Sequence, residues 1–239
     1  MNFQTTVFHG YKCLEFSFMG RSAKIVKPDT ASNGKWALKT EYFGQFPETE
    51  LELLKRGYHV AYNENENRWA EEPDLKTKGE FVKFVSEKFG LDKRCVLIGM
   101  SCGGLYAVKL AALYPELVRG MYLDAPVMNL LSCPCALGKS EVSLYDEYYA
   151  VTGRTISEML SYRDNPIDKM NVLLENKIPV VLVAGGSDEV VPYSENGENL
   201  ERYYKANGGE ISVFIDPDRK HHPHGHKDVG IICDIIDTF

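Results

Sequence analysis

No apolar stretch in this chain of 239 residues approaches the roughly 20 that a membrane-spanning helix requires, so no membrane partner is expected. A basic excess is missing too: Lys and Arg total 27 against 34 Asp and Glu, for a formal charge of −7. Nucleic-acid binding needs clustered cations to replace phosphate counterions, so no nucleic-acid partner is expected either. The opening residues Asn2-Phe3-Gln4-Thr5-Thr6-Val7 carry no basic flank leading into an apolar segment. No secretory leader is therefore expected, and a cytoplasmic location is. Internal repeats and low-complexity tracts are lacking. Cysteines number only six, and in a cytosolic chain of this size they are expected as reduced thiols. Cys133-Pro134-Cys135 lacks the second ligand pair that a four-coordinate zinc site uses, so no metal is expected there.

What remains is an ordinary globular composition, with 44% apolar and 26% charged residues. A chain of this length can bury one core without staples, and residues 1–239 are read as a single domain. Eight strands are predicted: Cys13 to Met19, Ser22 to Lys27, Lys35 to Thr40, Tyr58 to Tyr62, Cys95 to Ile98, Val118 to Leu123, Ile178 to Ala184 and Ile211 to Ile215. From the third strand onward they alternate with helical patterns. In one of these Phe81, Val82, Val85 and Phe89 recur at spacings of three and four before the stop at Gly90. Alternation of this kind predicts a mostly parallel sheet with helices on both faces. It lapses over residues 126–177, a stretch rich in Tyr and acidic side chains, which is read as a cap or lid over the carboxyl edge of the sheet.

The chemistry-bearing motif is Gly99-Met100-Ser101-Cys102-Gly103-Gly104. It follows a buried strand and opens a helix, the strand–turn–helix setting of a nucleophile elbow in the α/β-hydrolase fold. The glycines remove β-carbons that would clash where the turn is tightest. The helix start supplies unpaired amides for a developing oxyanion, so the Cys102 amide is expected as one donor, while the Cys102 thiol is read as packing. Asp188, just past the strand Ile178 to Ala184, is the preferred acid. Asp124, one strand earlier, is the alternative. The base is expected on the loop after the last strand, in Lys220-His221-His222-Pro223-His224-Gly225-His226, with His221 preferred and His222 as alternative. Adjacent histidines rarely chelate one ion together, so a metal site in this loop is not expected.

Together the elbow, Asp124-Ala125-Pro126-Val127, Asn165-Pro166-Ile167-Asp168, Asp188-Glu189-Val190-Val191-Pro192 and His221-His222-Pro223-His224-Gly225 resemble a group of bacterial α/β-hydrolases. These are described as esterases or prolyl-oligopeptidase-like hydrolases, often from carbohydrate-degrading bacteria. The resemblance runs from about Trp36 to the end. It implies Ser101, Asp188 and His221 as a catalytic triad, no cofactor, and a second oxyanion amide near Tyr42 or Phe43. At that place this chain reads Lys39-Thr40-Glu41-Tyr42-Phe43-Gly44 and lacks the His-Gly dipeptide of lipases. The expected reaction is hydrolysis of a small-molecule carboxylic ester through an acyl-enzyme, with a small acyl group such as acetyl on a carbohydrate. Cleavage of short peptides, or a catalytically silent binding protein on the same fold, are the alternatives. Tyr145, Tyr148, Tyr149 and Tyr162 of the cap are candidates either to stack on a sugar or to pack the lid.

Overall fold

The computed structural model describes residues 2–239. Its centre is one sheet of nine strands. The amino-terminal strands β1 (Gln4–Phe8), β2 (Tyr11–Phe18) and β3 (Arg21–Val26) form an antiparallel meander. β4 (Trp36–Lys39) and β5 (His59–Asn63) flank the helix α1 (Glu48–Lys55), and β3 pairs antiparallel with β5. From β5 onward every pairing is parallel, through β6 (Cys95–Met100), β7 (Val118–Asp124), β8 (Val180–Gly185) and β9 (Ile211–Asp216). The spatial order is β1-β2-β3-β5-β4-β6-β7-β8-β9.

Nine strands stand where the sequence predicts eight. The added one is β1, whose half-exposed residues show no strong apolar alternation. Its pairing with β2 over Gln4–Glu15 to Phe8–Tyr11, rather than its own pattern, makes it a strand.

Every residue of β6 and β8 is buried, as expected of central strands covered on both sides. On one face α2 (Glu72–Phe89) lays Phe81 against Phe16 and Phe18 of β2, and α3 (Cys102–Leu113) lies almost wholly in the core. On the other face α8 (Val229–Asp237) buries Ile232, Cys233 and Ile236 in a cluster with Ala37, Val96, Ile98, Tyr122 and Val181. Full burial of each such isoleucine contributes about 1.5–3 kcal/mol. Asp228 starts this helix by accepting a hydrogen bond from the Ile231 amide (3.2 Å). No helix among the described residues is long and apolar enough to cross a membrane. All six cysteines are free and buried.

Between β7 and β8 the chain runs through α4 (Tyr145–Thr152), α5 (Ile156–Ser161), a 3-10 turn over Pro166–Lys169 and α6 (Met170–Glu175). Asn196, buried at the start of α7 (Gly197–Ala206), orders the first part of this excursion. Its Oδ1 accepts from the Met128 and Asn129 amides, both at 3.0 Å. Gly104 sets how close the excursion starts to α3. A β-carbon there would overlap the ring of Pro126, backbone and side chain together. Gly104→Ala is accordingly expected to cost about 1–3 kcal/mol or more, read as a lowered Tm in thermal unfolding.

Candidate active site

Ser101 stands between β6 and α3, in a positive-φ conformation (φ 51°, ψ −120°) that few non-glycine residues adopt. The turn is so tight that a β-carbon on Gly99 would lie 2.5 Å from the Gly103 carbonyl oxygen and 2.8 Å from the Gly104 Cα. The Ser101 amide donates to the Asp124 carbonyl at 3.0 Å, and its own carbonyl accepts from Gly104 and Val127. These bonds lock the strained residue at the carboxyl edge of the sheet.

Three distant parts of the chain meet at the Ser101 hydroxyl. His221 Nε2 lies 3.1 Å from Ser101 Oγ, and His221 Nδ1 lies 2.7 Å from Asp188 Oδ2. The second Asp188 oxygen accepts from the Val190 and Val191 amides, at 2.9 and 2.8 Å. Asp188 and His221 are each 6% exposed, so this contact is shielded from water. A carboxylate held in this way favours the tautomer with the proton on Nδ1, leaving Nε2 free to accept from the hydroxyl. The arrangement can draw a proton from serine and steady the imidazolium that results.

Asp124, the alternative acid, lies elsewhere. Its fully buried carboxylate binds Arg219 Nη2 at 2.6 Å and Nη1 at 3.2 Å, and accepts from the Gly225 amide. His224 Nδ1 stands 3.4 Å away. Burial alone would raise this carboxyl. The His224 ring and the Arg219 guanidinium outweigh it and hold the pKa below its ordinary value. Arg219 Nη1 also donates to the Gly225 carbonyl (2.8 Å), so the pair ties down the loop that carries the histidines. His222, the alternative base, lies against Phe46 with ring centroids 5.7 Å apart and nearly parallel. Its pKa is lowered by partial burial and by the neighbouring imidazoles. The rings of His221, His222 and His224 lie close together, each pair of centroids 4.9 Å apart.

A cleft of about 300 Å³ opens over Ser101. Its apolar walls include Phe46, Met100, Val142, Leu144 and Val190, and Tyr42, Arg68, Cys102 and Cys133 also line it. Cys102 opens α3, so its amide belongs to the unpaired first turn. Burial pushes the Cys102 thiol up to about 11, which keeps it protonated at neutral pH and no rival to the serine. Of the two sequence candidates for the second amide, Tyr42 lines the cleft with a positive φ of 58°. Phe43 instead packs between Phe8 and Tyr62 and is not among the lining residues.

Tyr145, Tyr148, Tyr149 and Tyr162 do not line the cleft. Tyr148 is buried edge-on against Trp69 (5.3 Å), Tyr145 Oη donates to the Arg154 carbonyl and Tyr162 Oη to Asp164. Tyr149 is largely exposed. Arg68 is the side chain that sequence reading missed. It enters the cleft wall and forms a two-point ion pair with Glu147 of α4, a contact between a loop and a helix 79 residues apart that no local pattern announces.

The model of the prolyl oligopeptidase family matches residues 79–231. No curated protein matches the chain. Among solved structures, the acylaminoacyl peptidase of Pyrococcus horikoshii superposes with a TM-score of 0.68 at 14% identity, over 93% of this chain and 38% of that one. The chain thus spans well under half the length of that relative. Acetyl xylan esterase 1 from Thermoanaerobacterium sp. JW/SL YS485 gives 0.67 at 18% identity, over 98% of this chain and 86% of that one. MPT51 of Mycobacterium tuberculosis gives 0.67 at 14% identity, with 93% and 95% covered. At these identities the likeness is one of fold, the α/β-hydrolase fold.

Proposed function

The chain belongs to the prolyl oligopeptidase family, and we propose that this serine hydrolase cleaves carboxylic esters of small acyl groups through an acyl-enzyme. Ser101 is the nucleophile, His221 the base and Asp188 the acid that orients it. The observation that carries the reading is the unbroken series Oγ–Nε2, Nδ1–Oδ2, at 3.1 and 2.7 Å, under a cleft at the start of α3. His221 takes the hydroxyl proton as Oγ attacks the acyl carbon. The Cys102 amide, with an amide of the Tyr42 turn, holds the oxyanion. His221 then protonates the leaving alcohol, and water repeats the sequence to free the acid. Residues 126–177 serve as the cap, contributing Cys133, Val142 and Leu144 to the cleft wall.

Ester rather than peptide cleavage is supported by the walls. Among the described residues no carboxylate lines the cleft, so nothing there would hold the ammonium of a free peptide amino terminus. A volume of about 300 Å³ is at the low end for small-molecule sites and suits a short acyl chain. Acetyl carried on a carbohydrate is the natural candidate in view of the fold it shares with acetyl xylan esterase 1. Peptide-bond cleavage is the second reading, favoured by the family model and the fold of the acylaminoacyl peptidase.

A fluorophosphonate probe should label wild-type protein at Ser101, and an unlabelled serine would leave a silent binding protein. A panel of p-nitrophenyl esters and aminoacyl nitroanilides separates the other two readings, because only a peptidase turns over the anilides. Within the ester series, acetate and butyrate should be hydrolysed and octanoate should be poor. Leu144→Ala, which opens the wall, should shift the optimum towards longer chains with little change in kcat for acetate.

A further inference from the structure

The loop after β9 holds more imidazole than the proposed mechanism uses. The rings of His221, His222 and His224 form a near-equilateral triangle, each pair of centroids 4.9 Å apart and each pair strongly tilted. One nitrogen from each ring lies within 4.8 Å of the other two. Three imidazoles this close together make a donor set suited to zinc.

Two carboxylates stand behind this triangle. Asp188 binds His221 Nδ1 at 2.7 Å, and Asp124 approaches His224 Nδ1 at 3.4 Å. Histidines that hold a metal commonly present their second nitrogen to a carboxylate in this way, which fixes the ring and strengthens the donor. His224 Nδ1 is buried and its 3.4 Å approach to Asp124 falls short of a hydrogen bond, a gap that a small shift of the ring on binding a metal through Nε2 would close. His222, on the solvent side, is the exposed member and gives an ion a way in.

From this geometry we infer that His221, His222 and His224 form an inhibitory site for a divalent transition-metal ion, Zn²⁺ above all. Zinc–nitrogen bonds of about 2.0–2.1 Å in a tetrahedron put the nitrogens roughly 3.4 Å apart, so the rings need to close by roughly an ångström. Coordination uses the lone pair on His221 Nε2. It breaks only the hydrogen bond from Ser101 Oγ and leaves the hydroxyl proton where it is. Ser101 then has no base. The site itself stands on the three rings; its inhibitory effect rests on the proposed role of His221.

The test uses the full chain, stripped of metal, and zinc chloride. Isothermal titration should show one Zn²⁺ bound per chain, and turnover of p-nitrophenyl acetate should fall with a Ki equal to that Kd and recover with EDTA. His222→Ala should weaken both constants at least about 100-fold, since lost carboxylates behind such ligands alone cost 10–100-fold. Inhibition is read as a fraction of each variant's own zinc-free rate. Cobalt(II) provides a second readout that needs no activity: a tetrahedral visible spectrum without the charge-transfer band that the Cys102 or Cys133 thiolate would add. No binding, binding or inhibition unchanged in His222→Ala, or a thiolate band would each overturn the inference. Zinc binding by a chain that hydrolyses no ester or anilide would support the site and instead remove the functional reading.

Discussion

Ser101→Ala lowers kcat/KM for p-nitrophenyl acetate by about 10⁴-fold or more, with KM little changed, and abolishes fluorophosphonate labelling. This is the largest effect expected in the molecule. The substitution removes one oxygen that forms the covalent bond, accepts the new acyl group and starts the proton transfer to His221, 3.1 Å away. A 10⁴-fold loss corresponds to about 5.5 kcal/mol of transition-state stabilisation. The oxyanion amides and the cleft remain, so a small residual rate over water is expected from them. Because these groups act as a unit, adding His221→Ala to Ser101→Ala should cost little more. Steady-state kinetics on both variants, with circular dichroism to verify the fold, provides the check. Retention of full esterase activity by the alanine variant would remove Ser101 from the mechanism.

Arg219→Met has the second-largest expected effect, and it acts first on stability. Asp124 is fully buried, and two of its hydrogen bonds come from the Arg219 guanidinium. Deleting that partner leaves a buried carboxylate with the Gly225 amide and the His224 ring alone. Breaking a buried pair on one side costs roughly 3–5 kcal/mol, which in a chain of this size lowers Tm by roughly 6–20 °C. Removing both charges together, as in Asp124→Leu with Arg219→Met, should recover a substantial part of the loss, because no uncompensated charge remains. Turnover should fall as well, since Arg219 also holds the Gly225 carbonyl and so the span that carries His221. A drop of less than about 2 °C in calorimetry would mean that solvent reaches Asp124 and that the pair does not anchor the loop.

A dependence of stability on pH follows from the same contact. The Asp124 pKa is depressed in the folded chain, so its contribution to stability is present above the ordinary carboxylate range. It is lost as pH falls through the lower folded value.

Local sequence made the elbow legible. The continuous apolar run Cys95 to Ile98 reads as a central strand, and a serine between glycines just after it reads as a turn into the next helix. The place of Asp188 was legible by the same logic, because β8 is continuous and Asp188 follows it closely. The choice between Asp188 and Asp124 was harder to read, since both lie just beyond buried strands and sequence distance carries no direction. Arg219 separates them: it occupies Asp124 and leaves Asp188 to face His221. Nor could a tandem of histidines reveal which ring turns inward. Backbone direction decides that, and it makes His221 buried and His222 exposed.

The stretch over residues 126–177 departs furthest from what residue types suggest. A tyrosine-rich stretch reads equally well as a sugar platform or as packing. Here the rings are spent on Trp69, Arg154 and Asp164, and Val142 and Leu144 face the cleft instead.

Periodicity, glycine placement and strand continuity were enough to specify an α/β sheet with a strained serine at its rim, because each is a constraint between near neighbours in the chain. Which acid serves which cation, which histidine meets the hydroxyl, and that three imidazoles share one small space are outcomes of packing between segments scores of residues apart. Those contacts depend on distances in space, which no pattern of neighbouring side chains encodes.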